Sequence, residues 1–585
     1  MVSFRRTHTC GALRESDVGK EVLLTGWVHR HRDLGGLIFM DMRDRFGRTQ
    51  VIIDPKTLPI AHTLRFEYVV AVKGKVALRK DPNPNLPTGK IEIVASSLEV
   101  LSEADVLPFS VSEEGIDVHD ELKLEYRYLD MRRGPIVNNL LMRHKAMMSV
   151  RRFMDSSGFI EVITPILGKS TPEGARDYLV PSRIYPSMFY ALPQSPQLYK
   201  QLLMIGGLDR YFQLATCFRD EDLRADRQPE FSQIDVEMSF ASSEDLFPII
   251  EHLMQQIFKE CKGVDLPKKF RRLTYAECME RYGCDKPDLR FGMELIRLDD
   301  LAKQHSSFSI FHDVLSANGV VKGFTVHGGA DSSRKEIDEL SLYLQTLGGK
   351  GLVWMKRQET GFTSSMAKFL TDEQQKIWMD RLKMEIGDAA FIIAGPEKKT
   401  NQLLDHLRRK VARQRNLVPK DAYELLWVTD FPLFTMNEEE GKMESEHHPF
   451  TSPHLEDLHL MDSAPLTMRS SSYDLVLNGY EIASGSQRIH DGKLQDKIFA
   501  MLGMSQEERK SKFGFFITAL TFGTPPHIGI ALGFDRVMMM LCETESIRDI
   551  IAFPKTTKAQ DLMSKAPSPV GDQQLKELKI SVKKE

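Results

Sequence analysis

Residues 217–237 read Cys217-Phe218-Arg219-Asp220-Glu221-Asp222-Leu223-Arg224-Ala225-Asp226-Arg227-Gln228-Pro229-Glu230-Phe231-Ser232-Gln233-Ile234-Asp235-Val236-Glu237. The flanking segments, Tyr211 to Thr216 and Phe231 to Phe240, alternate apolar and polar residues as half-buried strands do. Between them Asp222 to Arg227 is charged and is closed by Gln228-Pro229. The stretch therefore reads as a long antiparallel hairpin. Residues two apart on a strand face the same way, so Arg219 and Glu221 share a face, as do Phe231, Gln233 and Asp235. One surface then offers a guanidinium, carboxylates, an amide and an aromatic ring. A planar guanidinium donates two parallel hydrogen bonds to a phosphate, and Phe231 can stack on a purine. The plain alternative is a solvated hairpin whose charges keep a sheet edge soluble.

Three C-terminal stretches bear on that choice. Leu425 to Phe434 reads as a buried strand, and Glu446-His447-His448-Pro449 follows it. Paired histidines suggest zinc, but no matching ligand cluster comes next, so no zinc is expected. Tyr473 to His490 has strand periodicity, and its carboxylates Asp474 and Glu481 suit Mg²⁺, a hard cation that shares oxygen ligands with substrate phosphates. Two lone carboxylates are otherwise ordinary surface. Gly523 to Leu541 reads as a strand running through a glycine turn into a helix. Glycine there allows close backbone approach to a nucleotide, and Arg536 lies at the helix start.

The hairpin resembles motif 2 of class II aminoacyl-tRNA synthetases, in the form used by the aspartyl, asparaginyl and lysyl subgroup. The run Gly529-Ile530-Ala531-Leu532-Gly533-Phe534-Asp535-Arg536, within Gly523 to Leu541, resembles motif 3 of the same class, with Ala531 where a Gly-x-Gly-x-Asp-Arg pattern would have its first glycine. Asn138 to Ser157, a helix stopped by Gly158, then Phe159 to Thr164 as a strand ended by Pro165, resembles motif 1, which implies a homodimer interface.

Length and composition are those of a large soluble protein. The 585 residues leave room for several domains. The charged fraction of 27% and hydrophobic fraction of 42% are ordinary, and the net charge of −4 provides no global basic field for nucleic acid, so any RNA contact must be local. Six scattered cysteines form no C-x-x-C pair, which indicates neither a zinc site nor a disulfide framework and fits a reducing, cytoplasmic setting. No apolar run reaches membrane-spanning length, so no membrane association is expected.

Residues 1–110 carry five β-rich segments: Val22–Val28, Leu37–Met42, Thr49–Ile53, Tyr68–Leu78 and Ile91–Leu101. Turns fall at Gly35-Gly36 and between Asp81 and Gly89. That content suits a five-stranded OB-fold barrel, which binds single-stranded nucleic acid. Arg30, His31 and Arg32 lie by the first turn and Phe39 on the next strand, a mix of cation and aromatic ring suited to splayed bases. Ordinary surface charge and a core phenylalanine would look the same. The run from Gly26 to Phe39 is similar to the anticodon-binding barrel of aspartyl-tRNA synthetases. The resemblance implies base stacking on Phe39, base-edge contacts from Gln50 and Glu92, and further anticodon contacts from Arg32, Leu34, Lys80 and Asn83. Leu34 and Lys80 look like the form that charges tRNA(Asp) strictly. Asn83-Pro84-Asn85 looks like the relaxed form that also charges tRNA(Asn).

Residues 111–134 read as a solvated hinge with one short helix. Residues 135–288 and 425–560 form the expected catalytic domain, an antiparallel sheet flanked by helices. Lys169 to Asp177 is a polar Gly/Pro loop similar to the mobile lid of the family. Leu192 to Gln201 opens a helix, and Ser242 to Lys262 is another with a Ser242/Asp245 capping pair. Residues 289–424 show their own strands (Phe324–His327, Gly351–Met355, Ala389–Ala394) and helices (Ser333–Leu347, Thr371–Met384, Asn401–Gln414), enough for a separate α+β insertion. Gly329-Ala330-Asp331 matches the run that names the insertion of bacterial-type aspartyl enzymes. Residues 561–585 read as a loose tail.

The whole chain is thus identified as a member of the bacterial-type aspartyl-tRNA synthetases. That membership implies ATP, L-aspartate and tRNA as substrates and Mg²⁺ with ATP. It implies catalytic roles for Arg219 and Arg536. ATP contacts are implied for Arg219, Asp220, Glu221, Gln228, Phe231, Glu481, Gly533, Phe534, Asp535 and Arg536, with Arg536 covering the adenine opposite Phe231. Aspartate contacts are implied for Glu173, Ser195, Gln197, Lys200, Gln233, Asp235, His447 and His448, with Arg488 gripping the side-chain carboxylate through a two-pronged pair. A lysyl or asparaginyl ligase is the nearest alternative. A cationic substrate would be repelled by Arg488 and Lys200, and an amide would waste the ion pair. A catalytically silent RNA-binding paralogue is the other.

Overall fold

The computed structural model describes residues 5–111, 117–171 and 174–583. The chain divides into two compact units, one built on the described residues up to Val137 with Asp561–Ser564, the other on Asn138–Gln560 and the residues from Lys565.

In the first unit β1 (Glu21–Asp33), β2 (Ile38–Asp44), β3 (Gly47–Ile53), β4 (Val69–Leu78) and β5 (Ile91–Ser102) close a barrel in the order β1-β2-β3-β5-β4. β3 and β5 pair in parallel and the other neighbours antiparallel. Alternate residues Ile38, Met40 and Met42 point into the barrel core, which leaves Phe39 and Asp41 outside. β1 is longer than its sequence signal, so Arg30 and Arg32 stand on the strand itself, with Arg32 paired to Phe39, rather than by the turn.

The segment after the barrel is not a solvated linker. α1 (Asp120–Glu125) and α2 (Arg127–Asp130) bury Leu129 against Phe109, Val111 and Val118. Arg127 is buried and bonds Asp130 at 3.0 Å. Glu67 binds Arg43 through both oxygens at 2.7 Å and Arg132 at 3.1 Å, a pairing invisible to local periodicity. Ser112, Glu113 and Glu114, read as part of the hinge, lie outside the described residues.

In the second unit α3 (starting at Pro135 and ending at Ser156) leads to β6 (Ile160–Glu161). The expected six-residue strand shrinks to two residues in an edge pairing with one neighbour. A small hairpin, β7 (Leu179–Pro181) and β8 (Phe189–Ala191), precedes α4 (Gln197–Ile205). The long hairpin follows as β9 (Arg210–Phe218) and β10 (Glu230–Ser239), with Phe231 opposite Cys217. α5 (Ser243–Lys262) starts on the Ser242/Asp245 capping box and ends at Gly263, whose φ of 72° suits glycine. β11 (Arg271–Thr274) and α6 (Tyr275–Arg281) complete this half.

The insertion forms its own five-stranded sheet. Its elements are β12 (Ile296–Arg297), α7 (Asp299–Gln304), α8 (Ser309–Ser316), β13 (Val320–Val326), α9 (Arg334–Thr346), β14 (Val353–Gln358), β15 (Gly361–Ser364), α10 (Asp372–Arg381), β16 (Ala389–Gly395) and α11 (Glu397–Gln414). β12, β15, α7 and α8 had no sequence signal, each being eight residues or shorter.

β17 (Leu425–Thr429) stops short of the expected Phe434 because Asp430 turns into the left-handed region at φ 57°. β18 (Phe434–Asn437) and β19 (Lys442–Ser445) form a separate hairpin. The stretch 473–490, read as one strand, is two: β20 (Ser472–Leu477) and β21 (Tyr480–Gln487). Asn478 and Gly479, at φ 53° and 83°, make the tight turn that the Asn-Gly pair favours. α12 (Gly492–Met501), α13 (Gln506–Leu520), β22 (His527–Gly533) and α14 (Phe534–Cys542) follow. The tail carries a further helix, α15 (Asp572–Leu578), where a loose segment was expected.

The main sheet runs β11-β17-β20-β21-β22-β10-β9-β6. One face is sealed by α5 and α14. Phe247 stacks on Trp427 at 4.0 Å, and Ile234, Val236 and Met238 of β10 point into this core. The opposite parity of β10 carries Phe231, Gln233, Asp235 and Glu237, so the other face of the sheet is polar and open to a cavity.

Candidate functional site

That cavity encloses about 540 Å³, the size range of small-molecule sites. Arg219, Arg488 and Arg536, from three distant parts of the sequence, all line it.

At one end the charges are fully buried. Lys200 of α4 donates to Asp235 at 3.0 Å and lies 3.4 Å from Glu237. Arg488 donates from Nε and Nη2 to the two oxygens of Glu237 at 2.8 and 3.1 Å. Its Nη1 donates to Ser486 Oγ at 2.7 Å and lies 2.8 Å from His448 Nε2. The two-pronged face of Arg488 is therefore held by the protein's own Glu237, and with Nη1 engaged by Ser486 and His448 only the second hydrogen of Nη2 is left over. Glu237 shares the β10 parity of Gln233 and Asp235, so period-two reading alone could have found it. Gly529 stands opposite Glu237, and a Cβ there would sit 1.7 Å from Glu237 Oε2. Its missing side chain makes room for that carboxylate rather than for a nucleotide.

Burial pushes the Asp235 carboxyl up, against the pull of Lys200. Glu237 is equally buried, yet Arg488 and Lys200 together hold it below its ordinary value. Burial and the adjacent Arg488 keep His448 neutral, well below the usual histidine range. Cys217 Sγ donates to Gln233 Oε1 at 3.2 Å, which leaves the amide nitrogen of Gln233 for the cavity.

At the other end Arg219 lies 5.1 Å from the ring centre of Phe231. Arg536 donates to the Glu481 carbonyl at 2.8 Å and pairs with Asp226 at 3.3 Å. Glu221 pairs with Arg227 at 2.8 Å. Gly533 lines the cavity and a Cβ there would meet nothing closer than 3.6 Å.

Four of the assigned ATP contacts sit differently from expectation. Asp220 does not line the cavity; its N–H bonds the Arg176 carbonyl. Phe534 is buried in the core behind the sheet. Asp535 touches the cavity, but its two oxygens are taken by Arg143 and by the Ser232 N–H. Both ends of the Gln228 amide are spent on the Lys555 backbone. The side-chain groups of Asp535 and Gln228 are thus claimed by nonlocal partners, although both residues line the cavity. Ser195, Gln197 and His447 line the cavity as expected, and Glu173 lies outside the described residues.

Asp474 and Glu481 meet across the β20–β21 hairpin. Burial and the Asp474 charge raise the Glu481 carboxyl, opposed by Arg536 and by Lys286 at 3.9 Å. Burial lowers His447, but Asp474 at 3.2 Å outweighs it and the imidazole ends above its ordinary value. Glu446 and Asp285, which no sequence signal singled out, add negative charge here, and burial raises Glu446. A buried carboxyl raised by burial and by the charge of a second carboxylate across the hairpin, beside a cavity of this size, fits a hard divalent cation with mixed ligands.

Several polar atoms that line the cavity are buried without a partner: Gln197 Nε2, Arg219 Nε, Asp235 Oδ2 and His447 Nδ1. Each such atom costs about 1–3 kcal/mol, so the set is organised for a ligand that supplies acceptors, donors and a cation partner.

On the barrel, Arg32, Phe39, Gln50 and Glu92 fall on neighbouring strands, and Gln50 donates to Glu92 at 2.8 Å. Burial raises the Glu92 carboxyl. Leu34 and Lys80 are exposed and Asn83 half-buried in the two loops.

Residues 119–557 match the family described as tRNA synthetases class II (D, K and N), and residues 22–101 match the OB-fold nucleic acid binding domain. The aspartate–tRNA(Asp/Asn) ligase of Protochlamydia amoebophila is 60% identical over 588 residues, covering 100% of this chain and 98% of that protein. The enzyme of the same description from Chlamydia muridarum is 58% identical, covering 99% of this chain and 100% of its own length. The solved asparaginyl-tRNA synthetase of Pyrococcus horikoshii, complexed with asparaginyl-adenylate, matches with a TM-score of 0.58 at 19% identity over 94% of this chain and 98% of that one, a likeness of fold alone.

Proposed function

We propose, for a chain that belongs to the class II tRNA synthetases of the D, K and N group, that it is an aspartate–tRNA ligase. The observation that carries this reading is the division of one cavity into two ends. Buried Lys200 and Arg488 offer cations to a small diacid, while Arg219, Arg536 and Phe231 suit a nucleotide. Both cations are already paired with Asp235 and Glu237, so they do not need a substrate charge; a lysine ammonium would still be set against two cations, and an asparagine amide would gain no charge interaction from them.

In the reaction, an α-carboxylate oxygen of aspartate attacks the α-phosphorus of ATP, and the bond to pyrophosphate breaks. Arg219 faces the charge that builds on the α-phosphate. A hydroxyl of the terminal adenosine of tRNA then attacks the aspartyl carbonyl, and AMP leaves. Asp235 Oδ2, buried and unpartnered, receives the substrate ammonium. Lys200 and the remaining Nη2 hydrogen of Arg488 hold the side-chain carboxylate, with Gln233 and His448 beside them. Mg²⁺ held by Asp474 and Glu481 would neutralise phosphate oxygens of ATP. Positioning and electrostatics suffice, without a covalent enzyme intermediate. Aspartate-dependent exchange of pyrophosphate into ATP tests the assignment, and its absence would also be the mark of a silent RNA-binding paralogue.

The barrel reads the anticodon through Phe39, Arg32, Gln50 and Glu92. Because the two relatives above carry the description tRNA(Asp/Asn), we extend the proposal to both tRNAs. Purified tRNA(Asn) is expected to accept aspartate at a rate no more than roughly 150-fold below that of tRNA(Asp), since one mismatched contact is worth about 1–3 kcal/mol and each 1.4 kcal/mol is about tenfold. No charging of tRNA(Asn) would make the enzyme strict.

The chain works as a homodimer in this proposal. Leu141 and Met148 of α3 and Ile160 and Ile163 beyond it expose apolar side chains in a chain segment similar to the class II interface motif. Sedimentation should give twice the chain mass, and Ile163→Glu should shift it toward the monomer. A wild-type monomer at micromolar concentration would reject this part. Six free cysteines, most of them buried, fit the cytoplasm, and no described helix is long and apolar enough to cross a membrane.

A further inference from the structure

The structure assigns to Arg143 the role of a positioning residue that sets the width of the nucleotide end of the cavity; the inference rests on reading that end as an ATP site. β10 and β22 pair from Ser239 opposite His527 up to Gln233 opposite Gly533. Beyond that last pair the two arms diverge. β10 runs on to Phe231, and β22 turns into α14, which carries Arg536. The two groups that grip the nucleotide therefore stand on opposite arms of a fork, past the end of the ladder that would hold them at a set spacing.

Side chains close the fork instead. Arg143 reaches across from α3, donates from Nη1 to Asp535 Oδ1, and donates from Nη2 to Ser232 Oγ at 2.9 Å. The Ser232 N–H donates to Asp535 Oδ2 at 2.8 Å. The guanidinium lies 4.9 Å from the ring centre of Phe534. Ser232 is the neighbour of Phe231, and Asp535 is the neighbour of Arg536. One planar guanidinium thus holds both arms at once. Lysine, a point charge with a single nitrogen, cannot span the two acceptors in the same way. The aspartate end lies on the ladder-paired side of the fork, at Gln233 and Asp235, and does not depend on this brace.

The full-length enzyme is assayed by aspartate-dependent ATP–pyrophosphate exchange, with ATP binding also followed by calorimetry. Arg143→Gln is expected to raise the KM for ATP about tenfold or more, because small misplacements of binding groups cost up to about a hundredfold. The KM for aspartate should stay within about twofold. Arg143→Lys should fall between wild type and Arg143→Gln, and Ser232→Ala, which deletes one hydroxyl, should raise the KM for ATP about threefold, the scale of a single hydrogen bond. An unchanged KM for ATP in Arg143→Gln, or equal rises for both substrates, would overturn the assignment. If Arg143→Gln does not fold, Ser232→Ala decides alone by the same criterion. A wild-type enzyme without exchange would instead defeat the ligase reading, and the calorimetric ATP affinities would then judge the brace by itself.

Discussion

Arg488→Leu is expected to abolish aspartate-dependent exchange at ordinary aspartate concentrations while ATP still binds. Arg488 is the buried cation at the end of the cavity proposed for the diacid, where four of its five N–H groups already bond Glu237, Ser486 and His448. Losing one partner of a buried charge pair costs about 2–5 kcal/mol, which is roughly thirty- to several-thousand-fold in the KM for aspartate at about 1.4 kcal/mol per tenfold. The same change strips Glu237 of the fork that holds both its oxygens, leaving only Lys200 at 3.4 Å. A buried carboxylate deprived of its partner costs about 3–5 kcal/mol of stability, so the variant should also unfold at lower temperature. Glu237→Gln in the same background should recover part of that stability without recovering aspartate binding. Undiminished exchange in Arg488→Leu would reject the assignment of this end of the cavity.

The second large effect is expected at Glu481. Glu481→Gln removes one of the two carboxylates proposed to hold the divalent cation, and exchange should fall at least about a hundredfold, in line with a metal contribution of several kcal/mol. Its pH dependence has a definite sign. The folded Glu481 carboxyl lies above the ordinary value of 4.5 because it is buried and faces Asp474. Protons and the cation compete for it. As pH falls toward that raised value, the Mg²⁺ concentration for half-maximal exchange should therefore climb, starting at a higher pH than an ordinary glutamate would set. In the metal-free protein the native state holds this proton more tightly than the unfolded chain does. Stability should then decline as pH rises from 4.5 through the folded value. Added Mg²⁺ should restore it, and Glu481→Gln should lack this decline. A Mg²⁺ requirement equal in wild type and Glu481→Gln would place the cation elsewhere.

Much of the site was legible because its signals are local. Arg219, Phe231, Gln233 and Asp235 converge as the alternation of 217–237 demands, and Gly523 to Leu541 folds as a strand turning into a helix. Lys200 was placed in the pocket only through the family resemblance, since a lysine on the first turn of a helix is ordinarily solvated; its full burial comes from β10, which supplies two carboxylates. The break at Asn478-Gly479 had a turn signal that the longer periodicity obscured. Asp285 and Glu446 had none: they enter the cavity from loops with no repeating pattern.

What the sequence determined by itself is which residues share a face. Strand parity, capping boxes and left-handed turns are decided within a few residues, by sterics and by hydrogen bonds to the neighbouring backbone. What only the tertiary structure decided is which polar group answers which. Arg488 turns its fork to Glu237, 251 positions away, and Asp535 is claimed by Arg143, 392 positions away. A buried charge must find a partner among whatever groups packing brings beside it, because leaving it unpaired in a low dielectric is too costly. That choice is made in three dimensions, and no periodicity along the chain records it.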